Sequence, residues 1–261
     1  MKAYRVQACN TAHDSENKIH DDAVARRFGF TGALVPGVDV YAYMMHLPVE
    51  RWGRAFLERG ASECKFTNPV YDGETVEVSG REEGDSILIE VAAQGRNCAA
   101  GSARLATAPA LSGYPAAPAP ALEDRPAASP DSLAPGRVLG TQLFDATREF
   151  MAGYLGEVRE TDDLYRREGL VHPGNILRMC NFALFRNVKM GPWIHVGSKV
   201  RNLGLARAGE MLSARSRVLA NYEKKGHRFV DLDVLVLAGE RAVAQVLHTA
   251  IYQPRQAAQA A

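Results

Sequence analysis

Between Ser15 and Val38 the chain reads SENKIHDDAVARRFGFTGALVPGV, and this stretch gathers groups that move protons and hold anions. His20 has an ordinary pKa near neutrality, so it can take up or release a proton under physiological conditions. Asp14 and Glu16 flank Ser15 just upstream, where a carboxylate could position water or share the proton transfer. Downstream, Pro36 suits the first turn of an apolar helix that starts at Gly37. The first N–H groups of that helix, at Gly37 and Val38, have no intrahelical acceptor. Such groups polarise a carbonyl oxygen and stabilise an enolate, and glycine lets a ligand come close to the backbone. Together these residues suit chemistry beside an activated carbonyl, a thioester above all.

Each residue also has a plainer reading. His20 would then only cap a helix start, and Asn17 would tie the loop to its own backbone. Ser15 or Asn17 is placed to cap a short helix that begins near Asp21 and Asp22, whose carboxylates favour its positive end. Asn17, Gly37, Val38 and Tyr41 form the expected substrate-binding set around His20. Tyr41 and Tyr43 lie within the apolar helix, where aromatic rings usually serve the core. Further along, His172 in VHPGN and His195 in GPWIHVGS complete that set from the other half of the chain. The alternative for His172 is a histidine restricted by the proline after it. Lys199, Arg201 and Arg207 form a modest basic patch that would meet phosphates.

Composition narrows the classes. The 31 Lys and Arg side chains against 30 Asp and Glu leave a formal charge of +1, so no long-range field favours nucleic acid or an anionic membrane. Cys9, Cys64, Cys98 and Cys180 are scattered, without the spacing of a zinc site or a disulfide framework. No apolar run reaches membrane-spanning length, and the N-terminus lacks a signal-like core. No Rossmann glycine pattern, P-loop or metal-ligand cluster occurs, so neither a nucleotide cofactor nor a metal is expected. The reading is a reduced, cytoplasmic protein.

The order of elements repeats. A strand-like start, the quoted stretch and a long apolar helix precede strand-like runs divided by Asp-Gly, Glu-Gly and Gln-Gly turns. After an Ala/Pro-rich segment at 108–136, a second set follows at 137–254, where LVHPGNILRMC parallels LVPGVDVYAYM. Residues 255–261 are expected to fray. The economical architecture is α+β: one long helix wrapped by a curved antiparallel sheet, made twice and packed as an internal pseudo-dimer.

NKIHDDAVARRFGFTGALVPGV resembles the hydratase motif of the MaoC-like, (R)-specific enoyl thioester hydratases and dehydratases. Asn17, Ile19, His20, Asp22, Ala25, Gly29, Phe30, Gly32 and Gly37 fit that pattern, and Pro69 to Val76 look like its following strand pair. The resemblance covers residues 1–107 specifically and the second half as a diverged repeat. It implies a double hot dog fold, with one working site and the other half shaping an acyl tunnel. It also implies lyase chemistry on an acyl thioester carried by coenzyme A or phosphopantetheine, with no further cofactor. An acyl carrier protein is an implied partner, and the chain would act as a monomeric pseudo-dimer or a homodimer. The family's catalytic aspartate falls five residues before the histidine, at Ser15, and its usual proline is Lys18. Serine cannot supply a carboxylate, so either Asp14 or Glu16 replaces it or the reaction differs. The competing readings are a hot dog thioesterase and a non-catalytic acyl-binding or altered-reaction member of a biosynthetic pathway.

Overall fold

In the computed structural model, residues 1–13, 15–111 and 113–255 are described. The first half runs β1 (Tyr4–Gln7), a 3-10 turn (Lys18–His20), α1 (Asp22–Arg27), α2 (Gly37–Trp52) and α3 (Arg54–Arg59). Four strands follow: β2 (Gly60–Phe66), β3 (Thr75–Glu83), β4 (Ser86–Ala93) and β5 (Arg96–Leu105). The second half runs β6 (Val138–Asp145), α4 (Arg148–Glu157), α5 (Leu164–Glu168) and α6 (Pro173–Phe185). It ends in β7 (Ile194–Asn202), β8 (Met211–Lys224), β9 (His227–Ala238) and β10 (Arg241–Gln253).

All ten strands form one antiparallel sheet in the order β1-β3-β4-β5-β2-β7-β10-β9-β8-β6. The order is symmetric about its middle, because β2 and β7 are the equivalent strands of the two repeats. Their pairing, Ala61 with Arg201 through Lys65 with Gly197, fuses two five-stranded sheets and removes the edge each would leave open.

Alternation drives each strand inward on one side. Val76 and Val78 on β3, and Ile87, Ile89 and Val91 on β4, are buried, while Glu77 and Glu90 on the opposite face are not. The sheet curls around α2 and α6, which lie side by side. From Val38 to Met45 every residue of α2 is buried, the behaviour of a helix enclosed on all sides. Asp39, fully buried on α2, is held by Arg178 of α6 at 3.0 Å, by the Thr11 hydroxyl at 2.5 Å and by the Tyr154 hydroxyl at 3.2 Å. A charge without such partners would not survive there.

The Ala/Pro-rich segment between the repeats is irregular, yet it is pinned. Leu133 is wholly buried, and the Tyr114 hydroxyl donates to Asp233 at 2.7 Å on the outer face of β9. Among the described residues no helix is long and apolar enough to cross a membrane. The expected fraying concerns residues 255–261, of which 256–261 lie outside the described residues.

Candidate active site

The loop that carries His20 is built from local hydrogen bonds. The Asn17 side chain caps the 3-10 turn by accepting from Ile19 N–H at 3.4 Å. Asp21 caps α1 through Val24 N–H at 3.0 Å. Asp21, and not Ser15 or Asn17, is therefore the cap of that helix; Ser15 Oγ instead accepts from Asn17 N–H at 3.1 Å. The Asn17 amide also reaches the second half, accepting from Trp193 N–H at 3.1 Å and donating to the Trp193 carbonyl at 3.0 Å. One side chain thus fixes the loop against both repeats.

His20 is held just as firmly. Its Nδ1 lies 2.7 Å from the Leu34 carbonyl, and because a carbonyl only accepts, the proton sits on Nδ1. Nε2 is left without a proton and accepts from the Asn17 amide nitrogen at 3.4 Å. Burial lowers the His20 pKa, against opposing pulls from the Leu34 carbonyl and Asp39, so the ring is neutral near pH 7.

A cavity of about 300 Å³ opens beside this ring at the junction of the two repeats. His20, Gly37, Val40 and Phe66 line it from the first half, and Asn181, Trp193 and His195 from the second. Pro36 caps α2 without a side-chain bond, and the Gly37 and Val38 N–H groups find no acceptor among the described residues. A methyl group at Gly37 would lie 3.0 Å from His195 Nδ1 and 3.2 Å from Phe66, so the absence of a side chain keeps this corner open. The Asn181 side-chain oxygen, on α6, is buried without a partner among the described residues.

His195 belongs to a chain of three side chains. Its Nε2 is 2.9 Å from Ser198 Oγ, which is 3.0 Å from Nδ1 of His248, and the two rings stack at 4.3 Å. Burial is the main cause that holds both imidazoles neutral, pushing His248 down to about 3. Ser198 and His248 are direct cross-strand partners on β7 and β10.

The other expected residues lie elsewhere. Tyr41 is fully buried, its hydroxyl 2.9 Å from Ser62 Oγ, and does not reach the cavity. Val38 points into the core. His172 caps α6, its Nδ1 accepting from Gly174 N–H at 3.1 Å, with Glu160 3.4 Å from Nε2. A ring so engaged and buried has no face for substrate. Glu16 is exposed and borders a separate recess with Arg125 and Phe185. Asp14 lies outside the described residues, and among the described residues lining the cavity there is no carboxylate. Lys199 and Arg207 do not form one patch: Arg207 bonds the Glu168 carbonyl, whereas Lys199 joins Lys65, Lys224 and Lys225 around a larger recess of about 740 Å³. Phe66, Val196 and Ile251 line both this recess and the cavity.

The equivalent corner of the second repeat is closed. A methyl group at Gly174, at the start of α6, would strike the Tyr154 hydroxyl at 2.1 Å, and the nearby hollow beside Pro173 measures about 20 Å³. Of the two equivalent corners, the one at Gly37 is open and the one at Gly174 is closed. Among the described residues no group of three or more His, Cys, Asp or Glu side chains is placed to hold a metal ion.

No family model and no curated protein matches the sequence. Solved structures do. A MaoC-like dehydratase superposes with a TM-score of 0.63 at 12% identity, covering 96% of this chain and 97% of its own. A conserved hypothetical protein of Mycobacterium tuberculosis, described as a double hot dog, does so at 0.61 and 15%, covering 96% and 95%. A Novosphingobium aromaticivorans protein provisionally described as a thioesterase gives 0.57 at 11%, covering 96% and 95%. The chain has the double hot dog fold, with a cavity lined by His20 and His195 at the junction of its repeats.

Proposed function

We propose that this chain is an acyl thioester lyase that adds water to, or removes it from, the double bond of a 2-enoyl thioester carried on coenzyme A or an acyl carrier protein. One observation carries the reading: His20, neutral with its Nε2 unprotonated, and the free N–H end of α2 at Gly37 border the same apolar cavity. In hydration, His20 Nε2 takes a proton from water as the water oxygen bonds the β-carbon. The π electrons move towards the carbonyl oxygen as an enolate, which the Gly37 N–H stabilises. His20 then delivers its proton to the α-carbon, and dehydration is the reverse. Because one base both takes and returns the proton, a second acid is not essential; the side-chain oxygen of Asn181 can orient the water.

The wider recess supports a phosphate-bearing carrier. Lys65, Lys199, Lys224 and Lys225 surround it, and its shared wall with the cavity gives a pantetheine arm a path. Four free cysteines suit a reducing, cytoplasmic setting. The continuous sheet lets one chain serve as its own dimer.

The deciding assay is incubation with crotonyl-CoA. Loss of the conjugated enoyl absorbance without thiol release, abolished in His20→Ala, is the expected result. Thiol release from crotonyl-CoA and butyryl-CoA alike would replace the lyase with a thioesterase. That second reading draws on the lack of a carboxylate among the described lining residues, since a neutral imidazole beside N–H donors also suits attack of water on the carbonyl.

A further inference from the structure

His195 and His248 present an unusual pair of loose ends. His195 Nδ1 and His248 Nε2 are both buried without a hydrogen-bond partner among the described residues, while the atoms between them are joined through Ser198. A hydroxyl donates one proton, and when Ser198 gives it to one ring and accepts from the other the chain runs in one of two directions. In the first, His195 Nε2–H donates to Ser198, Ser198 donates to His248 Nδ1, and His248 carries its proton on Nε2. That arrangement strands an N–H in the core, 0% exposed. In the second, His248 Nδ1–H donates to Ser198 and Ser198 donates to His195 Nε2. It leaves a bare lone pair on His248 and places the His195 proton on Nδ1. Each direction leaves one ring N–H without a protein partner, His248 Nε2–H in the first and His195 Nδ1–H in the second; only the second puts it at the cavity corner beside Gly37, where an oxygen can accept it, so the second direction prevails.

The consequence falls in the cavity. His195 lines it, and its Nδ1 is the atom that a methyl group at Gly37 would approach to 3.0 Å. We infer that His195 is a second donor to the ligand's carbonyl oxygen, its proton fixed on Nδ1 by the Ser198–His248 relay, so that Nδ1–H and the Gly37 N–H form a two-donor hole. This assignment rests on the thioester reading and adds to it a catalytic residue, His195, and two positioning residues, Ser198 and His248. The rings do not exchange protons with substrate; they remain neutral and supply a fixed dipole in a dry site. The second repeat therefore does more than wall the cavity, because it contributes half of the hole.

The test is nitrogen NMR on histidine-labelled full-length protein at pH 7. The His195 ring is expected as the Nδ1–H tautomer in the wild type. Butyryl-CoA, a saturated thioester, is expected to shift the Nδ1–H signal, and free coenzyme A, which lacks the carbonyl, is not. Ser198→Ala is expected to lose the fixed tautomer and part of kcat, with Ser198→Thr restoring both. His195→Phe keeps the ring and is expected to lower kcat on crotonyl-CoA by about 10²–10³-fold, the cost of one such donor, with a smaller effect on KM. An Nε2–H tautomer overturns the proposal, as does butyryl-CoA moving the His20 signals while leaving His195 unchanged. No effect of butyryl-CoA on either ring would sink the thioester reading and this ligand assignment together, with the tautomer still measured independently.

Discussion

His20 and Leu34 are tied by one hydrogen bond, the imidazole Nδ1–H donating to the backbone carbonyl at 2.7 Å, and this bond decides what the histidine can do. It fixes the ring with its proton on Nδ1 and leaves Nε2 unprotonated, as the proposed base requires. His20→Ala is expected to lower turnover of crotonyl-CoA by about 10²–10⁴-fold, the usual worth of a positioned acid–base group. Because burial lowers its pKa, the reactive neutral form persists below the ordinary histidine value of 6.5. The sign follows: kcat/KM stays level from pH 8 to that value and falls only as the pH drops below it. A rate profile that begins to fall above pH 7 would remove His20 as the base.

Gly37 supplies a separate check on the same corner. Gly37→Ala puts a methyl group against His195 Nδ1 and Phe66, at 3.0 and 3.2 Å, while the helix itself gains slightly from alanine. Thermal stability is expected to change little and kcat to fall by about 10²-fold, since a displacement of this scale at a reacting group is enough. Equal losses of stability and activity would mean that the site had simply unfolded.

Much of this was legible in the residues, for physical reasons that also mark the limits. The paired order of elements, the helix start at Gly37 and the approach of His20 to it follow from local signals: turn glycines, Pro36 and hydrophobic period. The exchange of caps, with Asp21 and not Asn17 holding α1, hangs on one residue of loop geometry that periodicity does not encode. His172 looked like a partner of His20 because both precede a long helix, yet its ring is engaged by Gly174 N–H and Glu160, and Tyr154 closes its side of the molecule. The relay of His195 depends on Ser198 meeting His248 across two strands separated by fifty residues. Its only trace in the sequence is a histidine in the inward phase of β10, between Val246 and Ala250, where an apolar residue is expected. Asn181 left no such trace, since a polar residue on the apolar helix α6 reads as its solvent side.

The lysines around the larger recess should act on the carrier and not on the acyl group. Lys65→Glu together with Lys199→Glu is expected to raise KM for crotonyl-CoA by about tenfold, as loss of phosphate contacts worth roughly 1.4 kcal/mol would do. The same enzyme should keep its wild-type KM for the crotonyl thioester of N-acetylcysteamine, which has no phosphate. Equal effects on both substrates would show that the recess does not hold the phosphates, and stronger salt dependence of KM for the wild type than for the variant would support the charge argument.

Asp39 and Arg178 connect the central helices of the two repeats, so they test whether the halves stand or fall together. Arg178 also covers the Tyr154 ring at 4.8 Å, the ring that fills the second repeat's closed corner. Arg178→Met leaves Asp39 buried with only hydroxyl partners and is expected to cost about 3–5 kcal/mol, the penalty for stranding one member of a buried pair. Asp39→Asn combined with Arg178→Met removes both charges and should recover part of that loss. Urea unfolding read by tryptophan fluorescence separates the outcomes. A single transition in every variant means that the internal pseudo-dimer unfolds as one cooperative unit, whereas two transitions in Arg178→Met would mean that each repeat has a stability of its own and that the ion pair is what couples them.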